Sequence, residues 1–259
     1  MSKALAATVV LLCPVALAGC AGIVRDRIFQ PIPISETPVE WRTSAPTAVT
    51  ATTEDGLVLS GYYWAPRTSD RPLIVYFQGN SANQLVAAGN AEPFASKGAG
   101  VLVASYRGYG GNPGTPSEAG LARDADAWIA KAREFQPKAP PYLFGHSLGG
   151  AVALSAATRH AVAGVATLGT FSSMTAMVPA IARGSLRDRF DNTAAIARVS
   201  APVWLYHGTA DQTVPFVMAE QLRAAGAGRQ VVLVPLAEGG HHVPMDRLAA
   251  LVWRNFGEN

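Results

Sequence analysis

Pro141-Tyr142-Leu143-Phe144-Gly145-His146-Ser147-Leu148-Gly149-Gly150 is the stretch on which the reading of this chain turns. An apolar run of strand length meets Gly145, and a helix-like run of small and apolar residues continues to Arg159. Ser147 stands at the apex between them, flanked at two residues on either side by glycine. A turn this sharp leaves no room for side chains at those positions. It lifts the serine hydroxyl above the end of a sheet and aims the following helix N-terminus, with its unpaired N–H groups, at the same spot. An oxygen nucleophile and an anion-stabilising dipole thus meet at one place.

Outward from this turn the pattern alternates. β-rich segments 47–53 and 57–64, joined by Glu54-Asp55-Gly56, predict an antiparallel hairpin. Strands are expected at 72–77, 100–105, 141–144, 164–168, 202–206 and 230–235. Helices are expected at 81–97, 117–135, 148–159, 215–225 and 244–256. The strand segments are mostly continuous apolar runs, as in strands covered on both faces. The alternation implies a mostly parallel α/β sheet with helices on both sides. The stretch 171–198 breaks the rhythm and reads as a short cap. A single domain is expected over 46–259.

A serine hydroxyl needs a base, and a histidine base needs a carboxylate to set its tautomer. In an open parallel sheet these groups belong in the loops at the C-terminal strand ends. Asp211 follows the strand 202–206 and could also cap the helix after Pro215. Glu238-Gly239-Gly240-His241-His242 follows the next strand. His241 and His242 are both candidates for the base, the Gly239-Gly240 approach favouring His241. Glu238 is a competing acid. His207 reads as a hydrogen-bonded residue at a strand end, Arg107 and Asp124 as a structural pair, and His160 as a surface residue. No third ligand at zinc-type spacing accompanies His241-His242, so no metal is expected.

The order Ser147, Asp211, His241 is that of α/β-hydrolases. Gln78-Gly79-Asn80, Tyr106-Arg107-Gly108-Tyr109-Gly110-Gly111, Pro116-Ser117-Glu118-Ala119-Gly120-Leu121, the serine turn, His207-Gly208-Thr209-Ala210-Asp211 and Gly239-Gly240-His241 all resemble motifs of that superfamily. They are most similar to its membrane-associated, depalmitoylase-like branch, from about residue 46 to the C-terminus. The resemblance implies an α/β-hydrolase fold with Ser147 as nucleophile, Asp211 as orienting acid, His241 as general base, and the backbone amides of Asn80 and Leu148 as oxyanion hole. It departs at Gln78, where the family usually carries histidine. The implied activity is hydrolysis of an acyl ester or thioester without a cofactor. An amide hydrolase or peptidase on the same groups is the alternative, and a non-catalytic envelope lipoprotein the alternative from another class. Phe171, Met174, Met177, Val178 and Ile181 form either an acyl pocket or the core of the cap.

The N-terminus carries a different message. Lys3 precedes an apolar run over 4–17, shorter than the roughly 18–20 residues that span a bilayer, so 1–19 reads as a signal peptide. Leu17-Ala18-Gly19-Cys20 resembles a bacterial lipobox, which implies a diacylglyceryl thioether on Cys20 and a lipid-anchored protein of the cell envelope. Ala21 in place of Asp implies the outer membrane where the cell has one. Cys13 is the other cysteine and falls inside the leader, so no disulfide is expected in the domain. Residues 20–45, with Pro31, Pro33 and Pro38, read as a tether, with Ile28, Phe29 and Ile32 apolar enough to pack. A net charge of +3 from scattered arginines argues against nucleic acid as a partner.

Overall fold

The computed structural model describes residues 25–34, 39–96 and 98–257. The leader, Cys20 and residues 35–38 lie outside the described residues. Eight strands form one sheet: β1 (Thr47–Thr52), β2 (Val58–Trp64), β3 (Leu73–Phe77), β4 (Gly100–Ala104), β5 (Tyr142–His146), β6 (Gly164–Leu168), β7 (Val203–Gly208) and β8 (Val231–Leu236). Their order is β1-β2-β4-β3-β5-β6-β7-β8. β2 runs antiparallel to β1 and β4, and every other pairing is parallel. This is the α/β-hydrolase fold with its antiparallel N-terminal hairpin.

The helices are α1 (Gln84–Ala95), α2 (Glu118–Phe135), α3 (Leu148–Ala157), α4 (Met174–Met177), α5 (Asn192–Ile196), α6 (Val217–Ala225) and α7 (Met245–Asn255). Alternate strand residues feed two cores, because successive side chains leave opposite faces of a sheet. Leu73, Val75, Phe77, Leu143, Val165 and Leu205 meet α2, α3 and α6 on one face. Ile74, Tyr76, Phe144, Ala166, Leu168 and Tyr206 meet α1 and α7 on the other. Every residue of β3, β4 and β6 is buried, which explains why these segments read as apolar runs, broken only by Thr167 in β6. Each buried Leu, Ile or Phe contributes roughly 1.5–3 kcal/mol. Asn83 and Ser117 cap α1 and α2 by accepting amide hydrogens of their first turns.

The expected elements are present with small shifts at their ends. β5 runs on to His146 and β7 to Gly208, because pairing with β6 and β8 continues past the apolar stretch. Arg107 joins Asp124, which is fully buried, to Asp55 of the β1–β2 turn. His160 is less open than expected for a surface residue, its side chain one-fifth exposed and its Nε2 2.7 Å from Asp126.

Two segments frame the C-terminal end of the sheet. Over 171–198 run α4, a 3-10 turn (Ala180–Ser185) and α5. The Met174 amide donates to the Arg189 carbonyl, and a reciprocal pair joins this segment to α2: the Glu118 amide donates to Asp188, and the Arg189 amide to Glu118. Residues 25–34, within the expected tether, lie on the domain. Ile28 and Phe29 are buried, and Phe29 meets Phe190 edge-on. The amides of Gln30 and Ile32 donate to the carbonyls of Asn80 and Ala82, while Asn83 donates to Pro33. Residues 25–28 form a helical turn closed by the Phe29 amide on the Arg25 carbonyl, and proline at 31 and 33 keeps the rest of the arm extended without removing the donors at 30 and 32.

Candidate active site

The turn after β5 is as tight as its glycines suggest. A Cβ on Gly149 would fall 2.1 Å from the Phe77 carbonyl oxygen, and one on Gly145 would fall 2.2 Å from the Gly149 carbonyl oxygen. Ser147 takes φ 53° and ψ −113°, a conformation L-residues avoid. Two long-range bonds hold it there: its amide donates to the Leu168 carbonyl, and its carbonyl accepts from the Thr170 hydroxyl. α3 begins at the next residue, so the helix N-terminus lies directly behind the serine.

β7 and β8 deliver the other two groups. Asp211, whose side chain is fully buried, divides its carboxylate between two tasks. Oδ1 accepts the amides of Thr213 and Val214, and Oδ2 lies 2.8 Å from His241 Nδ1. The capping and orienting readings of Asp211 therefore hold together. Burial drives its pKa upward, but the Val214 amide and His241 outweigh that and hold it below the usual carboxylate value. His207 packs beside it, buried and bonded to the Val214 carbonyl, its pKa lowered mainly by burial. Glu238 is exposed. Gly169, at φ 58°, packs against both partners: a Cβ there would lie 3.0 Å from His241 Nδ1 and 3.3 Å from Asp211 Oδ2. Only a glycine lets β6 end so close to the pair.

His242 is not bonded to Asp211. Its ring faces those of His241 and His146, with centroids 5.3 and 5.1 Å away. His146 Nε2 lies 3.0 Å from the His241 carbonyl oxygen, tying the serine turn to the histidine loop. Burial, with the neighbouring His241 and His242 adding to it, pushes the His146 pKa down to about 4. His146 is therefore neutral at neutral pH. Among the described residues no group of His, Cys, Asp or Glu side chains is arranged to hold a metal ion.

Ser147, Leu148, Asn80, His146, His241 and His242 all line one cleft of about 490 Å³, a volume suited to a small organic substrate. Among the described residues the amides of Asn80 and Leu148 have no hydrogen-bond acceptor. Gln78 lines the same cleft, 1% exposed, with neither side-chain amide atom partnered. Phe171, Met174 and Met177 form an apolar wall. Ile181, grouped with them in the sequence, is instead 95% exposed, and Val178 packs toward the core. Sequence reasoning missed Thr170, Gly169 and the place of the arm, which was expected to pack through Ile28, Phe29 and Ile32 but not to bring Arg27, Ile28 and Gln30 to the cleft. The apolar Ile28-Phe29 pair in an otherwise proline-rich stretch was the available signal for the arm.

The chain belongs to the α/β-hydrolase family. The family model described as alpha/beta hydrolase fold matches residues 72–195. The chain is 38% identical over 208 residues to an uncharacterized protein of Mycobacterium tuberculosis, spanning 76% of this chain and 72% of that one. Among solved structures it is similar to an esterase of Pyrococcus furiosus, with a TM-score of 0.68 at 14% identity, covering 88% of this chain and 98% of that one. An acylaminoacyl peptidase of Pyrococcus horikoshii is similar over 83% of this chain and 42% of its own, with a TM-score of 0.65 at 17% identity.

Proposed function

We propose that the chain is a serine hydrolase that cleaves acyl esters or thioesters, held at the bacterial envelope by a lipidated Cys20. The observation that carries this reading is the His241–Asp211 pair opening onto the same cleft as Ser147 and two acceptor-free amides. With Nδ1 committed to Asp211, His241 has Nε2 left to take the Ser147 proton as the hydroxyl attacks an acyl carbonyl. The amides of Asn80 and Leu148 stabilise the oxyanion, and the dipole of α3 adds to their field. His241 then returns the proton to the leaving alcohol or thiol. Water, deprotonated by the same imidazole, releases the acid from the acyl-serine. The fold shared with an esterase and an acylaminoacyl peptidase supports acyl transfer chemistry, and the Phe171, Met174 and Met177 wall favours an apolar acyl group.

Labelling with a fluorophosphonate probe tests the proposal, because it reports an activated serine whatever the substrate. The intact protein is expected to label and Ser147→Ala is not. A folded wild-type chain that stays unlabelled would support a binding protein instead. His241→Ala is expected to abolish labelling and His242→Ala to retain it; the reverse would reassign the base. Retention of a Cys20→Ser chain in the membrane to the same extent as wild type, with the leader processed normally, would refute the anchor.

A further inference from the structure

The arm and the cap do more than frame the cleft. Residues 25–34 and 171–198 together hold six arginines against three aspartates, as large an excess as the net +3 of the whole chain. Arg27, Arg183, Arg187 and Arg189 are exposed. Large apolar side chains of the arm, the cap and α1 also stand open to solvent: Ile181 on the cap at 95%, Ile32 and Ile34 on the arm at 37% and 44%, and Val86 on α1 at 44%. Val86 lines the cleft, Ile32 is bonded to cleft-lining Ala82, and Ile181 lies four residues beyond cleft-lining Met177. Exposed apolar residues and arginines carried on the same segments suit the headgroup boundary of an anionic bilayer, where the side chains leave water and the guanidinium groups meet phosphate.

Chain length points to the same surface. Four residues separate Cys20 from Arg25, and even fully extended the five Cα–Cα steps reach no more than about 18 Å. Arg25 is ion-paired to Asp188 of the cap. An acylated Cys20 would hold the arm, and the cleft wall it forms, close to the lipid.

We infer that the rim made by the arm, α1 and the cap docks on the anionic phospholipid surface, so that the cleft opens toward the bilayer and receives its acyl substrate from the membrane. This rests on the hydrolase and anchor readings above, and it narrows their substrate to membrane-resident acyl lipids or acylated chains.

The full chain on vesicles of phosphatidylethanolamine and phosphatidylglycerol provides the test. An environment-sensitive fluorophore on Ile181→Cys is expected to shift to the blue and to be quenched by brominated acyl chains. The same fluorophore on Val232→Cys, exposed on β8, is expected to report water. Labelling of the parent chain supplies the background. A water-like signal at 181 on vesicle-bound protein would overturn the docking. The combined change Ile181→Asp, Arg183→Glu and Arg187→Glu is expected to slow hydrolysis of a long-chain ester embedded in vesicles about tenfold or more, while sparing a soluble short-chain nitrophenyl ester. Equal rates on the embedded ester would count against the proposal. Lipid contact at 181 without cleavage of either ester would sink the hydrolase reading and leave the docking. Cleavage of the short ester with residue 181 in water would do the opposite.

Discussion

His241 Nδ1 lies 2.8 Å from Asp211 Oδ2 across 30 residues of chain, while the other oxygen of that carboxylate holds the amides of Thr213 and Val214. One buried side chain thus shapes the turn before α6 and orients an imidazole from a different loop. The two tasks separate by substitution.

Asp211→Asn keeps a carbonyl oxygen for the two amides but turns an NH2 group toward Nδ1, favouring the wrong tautomer. Turnover of a nitrophenyl ester is expected to fall about 10⁴-fold with little change in Tm. Asp211→Ala loses the turn as well and is expected to cost about 1 kcal/mol more in stability. An Asn variant within tenfold of wild type would show that the pair is structural.

The conformation of Ser147 stores strain that glycine would not feel. Ser147→Gly and Ser147→Ala are both expected to be inactive, but the glycine variant is expected to be the more stable, by on the order of 1 kcal/mol in denaturant melts. The opposite ranking would mean that φ 53° costs nothing here.

Gly149 admits no side chain. β3, whose carbonyl faces it, is paired on both edges by β4 and β5 and has no direction in which to retreat. Gly149→Ala is expected to destabilise by about 3 kcal/mol or more, read as lost soluble yield or a lower Tm. A variant that melts with wild type would show that the turn relaxes.

His146 makes the fold sensitive to mild acid. Its pKa falls from 6.5 to about 4 on folding, so between those values the unfolded chain binds a proton that the native chain refuses. The stabilisation is complete above pH 6.5 and lost as pH falls toward 4, on the order of 3 kcal/mol in all. Tm measured against pH is expected to fall less steeply for His146→Gln over that window. His207, shifted in the same direction, contributes to the slope that remains. Identical profiles would show that His146 titrates normally.

Much of this was written locally. β3 and β4 are unbroken apolar runs, and β6 is interrupted only by Thr167, because helices cover both faces, so their pattern survives in any short window. The glycines around Ser147 mark the turn for the same reason: the clash they avoid lies within a few residues, or with one neighbouring strand. Strand ends were less legible. His207 and Gly208 extend β7 because β8 offers partners, which the strand's own composition does not reveal.

The sequence by itself determined the alternation of strands and helices, the apex serine, and the order in which a carboxylate and a histidine follow it. Only the tertiary structure decided which of two adjacent histidines meets Asp211, that the carboxylate serves two masters, that Ile181 leaves the cap for solvent, and that an arm rich in proline becomes a wall of the cleft. The reason is physical. Periodicity and steric fit act between near neighbours, whereas the direction of a loop side chain depends on groups such as Gly169, His146 and Asn80 that packing brings from distant parts of the chain.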